Sequence, residues 1–123
     1  MAQTPCTLAC DGGMIPYTPG TAVAAGQVVL LGNIPTIAPL AIAANIEGVL
    51  DYAGDRQWNV PKDTSTFTVG APVYWNPTGS PVGGTASSGA ASTSSAGAYL
   101  MGPCLAAAAT GASTVRMRLR GEY

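Results

Sequence analysis

An all-β domain, built as a small barrel or sandwich, is what this sequence predicts, and three observations predict it. β-branched, aromatic and aliphatic residues come in short runs rather than long ones. Gly, Pro, Asn, Ser and Thr interrupt those runs about every ten residues, the spacing of antiparallel sandwiches and barrels. No stretch holds a 3.6-residue apolar period long enough for a helix of consequence. At 123 residues the chain reads as one domain, 1–123, large enough to bury a core.

Residues 1–22 are rich in Pro, Thr and Gly and show no period. They read as an extended arm with a short strand near Thr7–Ala9. Gln27–Leu31 is a β-branched run stopped by the turn pair Gly32-Asn33, and Ile34–Ile37 returns as its hairpin partner. Leu40–Asn45 is Ala- and Ile-rich and has room for one helical turn. Glu47–Tyr52 reads as a strand, and Gln57–Val60 alternates polar and apolar as a half-buried strand should. Pro61-Lys62-Asp63 is a turn, followed by strands at Thr66–Val69 and Gly70–Trp75. Asn76-Pro77-Thr78-Gly79 turns the chain again.

Val82 belongs to a weak strand at most. Residues 85–97 are nearly pure Ser, Thr, Ala and Gly, too poor in apolar surface to offset backbone ordering, and read as a flexible exposed loop. Tyr99–Ala108 is a strand interrupted at Gly102-Pro103, the sign of a bulge or an edge. Thr114–Leu119 is the most regular strand, with Val115, Met117 and Leu119 on one face and Arg116, Arg118 and Arg120 on the other.

The order also carries a faint echo. Ala25-Gly26-Gln27-Val28-Val29 answers Val69-Gly70-Ala71-Pro72-Val73, with the two glycines 44 residues apart. A second strand follows each unit around Gly48 and Gly102, 54 apart, which places ten extra residues at the Ser/Ala loop. On this reading the fold is two related β-units packed on one another.

Charge sets limits on function. Only 9% of residues are charged and the net charge is -1, so steering to nucleic acid or to an acidic membrane has little to act through. No charge lies between Asp11 and Glu47, or between Asp63 and Arg116. Either these stretches are covered by contacts between subunits, or they form a neutral Ser/Thr surface; low charge together with 47% hydrophobic residues favours contacts. The N-terminus lacks the basic region of a secretory leader, and prolines and glycines break every apolar stretch that has membrane length. The three cysteines, Cys6, Cys10 and Cys104, are then expected as thiols, with Cys6 and Cys10 able to form a ring or an interchain bond under oxidising conditions.

Histidine is absent, which removes the usual acid–base and zinc-binding side chain. A phosphate-binding loop needs Gly-Lys-Ser/Thr, and the only lysine is Lys62, between Pro61 and Asp63. A metal would need Cys6, Cys10 and Cys104 with Asp11, at an unspecific spacing. Asp51 and Asp55 are the one carboxylate pair for hydrolysis, and solvated loop acids are the simpler reading. No enzyme, no cofactor and no small-molecule substrate is expected. Arg116, Arg118 and Arg120 are the one basic feature: either the solvated face of a terminal strand or a docking stripe that grips carboxylates. Aromatics do not interleave with them as single-strand nucleic-acid binders require. Trp58, Tyr74 and Trp75 read as core or interface anchors. If the two tryptophans were exposed they would make a carbohydrate-binding or surface-binding β-sandwich the alternative function.

Ala24-Ala25-Gly26-Gln27-Val28-Val29, Ile46-Glu47-Gly48-Val49-Leu50, Val69-Gly70-Ala71-Pro72-Val73-Tyr74-Trp75, Leu100-Met101-Gly102-Pro103-Cys104 and Gly111–Leu119 stand in a familiar order. Over roughly residues 20–120 the chain resembles the capsid decoration, or cement, proteins of tailed bacteriophages, a family formerly catalogued as a domain of unknown function. The resemblance implies a homodimer or homotrimer, made in the host cytoplasm, that binds the outside of an icosahedral shell and clamps neighbouring major capsid subunits. It brings no catalytic residues. On this reading the arm around Cys6 and Leu8, and the stripe Arg116, Arg118 and Arg120, are the expected contacts to neighbouring subunits.

Overall fold

Nine strands and no helix make up the described residues of the computed structural model, namely Thr4, 14–53 and 56–120. Strands β1 (Met14–Tyr17), β2 (Val28–Leu31), β3 (Ile34–Ile37) and β4 (Gly48–Asp51) form an antiparallel sheet in the order β1-β4-β3-β2. The rest of the chain supplies β5 (Trp58–Pro61), β6 (Pro72–Asn76), β7 (Ala90–Ser92), β8 (Tyr99–Pro103) and β9 (Thr114–Met117). These five follow one another around a ring. β5 pairs with β9, β9 meets the end of β8 at Cys104↔Met117, β8 pairs with β6, and β6 with β7. A parallel bridge between Lys62 and Ala91 brings β7 back to β5. Closure of this kind removes open strand edges.

Period-two alternation decides what lies inside. Val60, Phe67, Val73, Met101, Val115 and Met117 fill the ring, each 1% exposed or less, and Trp75 joins them. Ile37 of β3, with Val28 and Leu30 of β2, packs against the same core from one face of the four-stranded sheet. The other face of that sheet covers a smaller cluster of Val23, Ala38, Ile42 and Leu50, with Tyr17, Val29 and Leu31 around it.

The two-unit expectation holds, with a different registration. Met14↔Asp51 through Tyr17↔Gly48 is the pattern of β1 on β4. Trp58↔Met117 through Pro61↔Thr114 is the same pattern, with β5 44 residues after β1 and β9 66 residues after β4. Loop bonds repeat too. Val23 and Ile42 exchange two backbone hydrogen bonds, as do Phe67 and Ala108, and Gly26 N–H donates to Ala38 as Gly70 N–H does to Cys104. Gly26 and Gly70 are equivalent, at φ +81° and +85°, where a side chain would strain the turn. Gly48 and Gly102 are not. Gly48 corresponds to Thr114, and Gly102, opposite Val73, corresponds to Thr36, opposite Val29. The insertion in the second unit is therefore 22 residues, and it contains β7.

Several sequence expectations are corrected by these contacts. Residues 85–97 are not all loop, because Ala90, Ala91 and Ser92 form β7 and are buried. Small side chains let this strand lie close to β6, so hydrogen bonding and ring closure order it without large apolar residues. Within the predicted arm, Met14–Tyr17 is a strand held by β4; the strand expected at Thr7–Ala9 lies outside the described residues. Leu40–Asn45 makes no helical turn, since Ile42 is tied to Val23 and Asn45 takes φ 63°. Thr66–Val69 reduces to a single bridge at Phe67. The bulge expected near Gly102-Pro103 is present as a register shift of β6 against β8 at Val73/Tyr74. Among the described residues no helix is long and apolar enough to cross a membrane.

Candidate functional site

β9 and the three residues after it build the basic surface. Val115, Met117 and Leu119 are 1%, 0% and 2% exposed, and this anchoring turns Arg116, Arg118 and Arg120 outward, all three exposed. Arg116 lies opposite Asn59 of β5, and its carbonyl accepts from Leu105 N–H at 2.9 Å. Arg120 N–H donates to the Met101 carbonyl at 3.0 Å, so the chain past β9 remains stitched to β8. Gly102 permits that closeness: a Cβ there would overlap the Arg118 carbonyl oxygen. The stripe thus sits on backbone that is paired on both sides, and its spacing is set by the strand repeat of about 3.3 Å per residue.

The turn leading into β9 is held by a residue that sequence reading placed in a turn of its own. Lys62 is fully buried. Its ammonium donates to the carbonyls of Asp63 and Ala109, both at 2.8 Å, of Ala112 at 3.2 Å and of Thr110 at 3.4 Å. It also lies 5.8 Å from the centroid of the Phe67 ring, a cation–π contact. The hydrogen bonds satisfy a desolvated cation and tie the end of β5 to the 109–112 turn. The signal was available in the sequence, since Trp58, Val60 and Lys62 are in phase on one side of the strand. Next to it, burial pushes the Asp63 carboxyl up, but hydrogen bonds from Ser65 and Ser92 and the Lys62 charge outweigh this and hold it below its usual value. Ser65 N–H reaches Asp63 Oδ1 at 2.8 Å.

The other sequence candidates do not assemble into a reaction centre. Asp51 is not a solvated turn acid; it ends β4, is 3% exposed, and accepts the Trp58 indole N–H at 2.9 Å. Asp55 lies outside the described residues, as do Cys6, Leu8, Cys10 and Asp11. Cys104 is a buried free thiol whose Sγ donates to the Ala106 carbonyl at 3.0 Å. Among the described residues no three His, Cys, Asp or Glu side chains converge as metal ligands. Trp75 is 9% exposed and Trp58 is half-buried with its N–H engaged, so the two do not form an open stacking platform. Apolar surface is instead left out on loops, at Leu40 (71% exposed), Val69 (68%) and Ile46 (59%).

The described residues form a ring-closed β-domain with three arginines in an outward row, on a chain of which only 9% is charged. The chain belongs to the phage cement protein family, whose sequence model matches residues 9–119. The family is a structural one, placed on the phage capsid. No curated protein and no solved structure matches the chain.

Proposed function

We propose that this protein binds the outer surface of an icosahedral phage head and clamps neighbouring major capsid subunits, with Arg116, Arg118 and Arg120 gripping carboxylates of the shell. The family match over 9–119 carries the reading; the exposure of all three arginines on paired backbone supports the choice of surface. Its partners are the major capsid protein and further copies of itself, not nucleic acid, a membrane or a small molecule. Synthesis is in the host cytoplasm.

Cementing is linkage. A protein that binds the assembled lattice and not its free subunits stabilises the lattice by about 2.7 kcal/mol per site at a hundredfold excess over Kd. Repeated over many sites, such terms oppose internal pressure on the shell. Bidentate guanidinium–carboxylate pairs suit the task because they fix orientation as well as add attraction. The test is sedimentation of purified expanded shells, lacking this protein, with wild type or with the Arg116→Ala/Arg118→Ala/Arg120→Ala variant. Wild type co-sediments and raises the temperature of shell disruption; the folded variant binds more weakly. Equal occupancy of the two removes the stripe from the interface, and no binding by wild type overturns the function.

A further inference from the structure

β2 ends the order β1-β4-β3-β2 and, among the described residues, pairs only with β3. Which of its backbone groups this leaves over follows from the hairpin. The Gln27 carbonyl accepts from Ala38 N–H at 3.0 Å, so Gln27 faces β3. Backbone groups alternate sides along a strand, so Val29 and Leu31 face β3 as well, and the N–H and C=O of Val28 and Leu30 point to the outer edge. Pro35 agrees with this phase: it lies opposite Leu30, where no N–H is called for between the two strands. The edge carries no charge, no proline and no bulge, the devices by which exposed edges refuse a partner.

The second half of the molecule has the same position filled. β6 is the counterpart of β2, and β7 lies antiparallel along its outer side at Tyr74↔Ser92, Trp75↔Ala91 and Asn76↔Ala90. The insertion that carries β7 is missing from the first unit, where only the Gly32-Asn33 turn joins β2 to β3.

The walls beside the open edge describe what fits. A hollow of about 430 Å³ lies between Val28 and Leu30 on one side and Trp75, Pro77, Pro81 and Gly89 on the other. A second, also of about 430 Å³, runs on the opposite face from Val29 to Tyr17, Pro19 and Val23. Neither is lined by a charged residue, so a charged side chain entering them would lose hydration without gaining a partner. An extended, uncharged segment suits the place, with alternate side chains entering one hollow or the other.

Area argues against a second copy as the owner of that segment. β2 is four residues long, and two such edges side by side fall well short of the roughly 1,200 Å² that a stable interface buries. So short an edge holds a strand only when the strand's owner is already held nearby, which makes the pairing intramolecular in effect. The shell subunit meets that condition under the function proposed above, on which this step rests. We propose that the outer edge of β2 accepts one extended, uncharged segment of the major capsid subunit as an added antiparallel strand. Because β7 fills the matching place on β6, each copy takes one such strand rather than two.

The test is hydrogen–deuterium exchange of the full chain, free and bound to purified expanded shells, read by mass spectrometry with residue-resolved fragmentation. In the free chain the Val28 and Leu30 amides should exchange fast, while that of Val29, bonded to β3, exchanges slowly. On shells the Val28 and Leu30 amides should slow at least tenfold. Leu30→Pro gives a second reading, since it deletes an outward N–H and sets a ring in the path of an added strand while leaving the β3 side intact. With its folding checked by urea midpoint, this variant should bind shells at least tenfold more weakly. Exchange needs no variant and decides alone where Leu30→Pro does not fold. Fast Val28 and Leu30 amides on occupied shells, or wild-type affinity in folded Leu30→Pro, would overturn the strand contact and leave the capsid reading standing. Failure of the wild type to bind shells would overturn both. Slow amides in the free chain would also overturn the proposal, with concentration dependence assigning the edge to a second copy and independence assigning it to the chain's own residues.

Discussion

Replacing Lys62 with Met keeps most of the buried stem and removes the charge and all donors. In the native fold the ammonium serves the carbonyls of Asp63, Ala109 and Ala112 at 2.8, 2.8 and 3.2 Å. Each buried acceptor left without a donor costs about 1–3 kcal/mol. Ala109 is exposed and its carbonyl can recruit water, so the sum falls nearer about 3–5 kcal/mol than the upper limit. A domain of this length has about 6–18 kcal/mol in total, so the loss is a large part of its stability. Urea unfolding followed by tryptophan fluorescence measures it, with the m-value checked for constancy. Lys62→Arg should recover little, because a planar fork cannot point its donors at the four carbonyls that converge on the ammonium. A Lys62→Met variant within about 0.5 kcal/mol of wild type, at unchanged m, would refute the claim that this ammonium holds the turn before β9.

Other perturbations test neighbouring links. Gly102→Ala forces a methyl group onto the Arg118 carbonyl; overpacking of this kind costs about 1–3 kcal/mol, and thermal unfolding should show it together with weaker shell binding. Asp63 titrates lower when folded than unfolded, so the unfolded chain binds more protons and stability rises with pH between the two values. Asp63→Asn should therefore be less stable than wild type at neutral pH, and the gap should close as pH falls below about 4, read from urea midpoints at both ends. Losing three exposed charge pairs at about 0.2–1 kcal/mol each should raise the Kd for shells by about 3- to 150-fold in the triple arginine variant. Wild-type binding should also weaken with added salt while the variant responds little, which salt-titrated sedimentation would reveal.

Local pattern made much of the molecule legible. Alternation placed Val115, Met117 and Leu119 inside and the arginines outside, and the Gly26/Gly70 turns announced a repeated unit before any contact was known. Short apolar runs between turn residues also sufficed for an all-β fold, because pleat and turn chemistry act over a few residues. What composition misjudged was β7, where buried Ala90–Ser92 gain their order from pairing with β6 and from closing the ring rather than from their own apolar surface. Lys62 is the same lesson in a polar residue. Its side chain is tolerable at the core only because carbonyls 47 to 50 positions away converge on it. Strand order, the bare edge of β2 and the closeness of Gly102 to Arg118 likewise arise between distant segments, and no window along the chain contains both partners of such a contact.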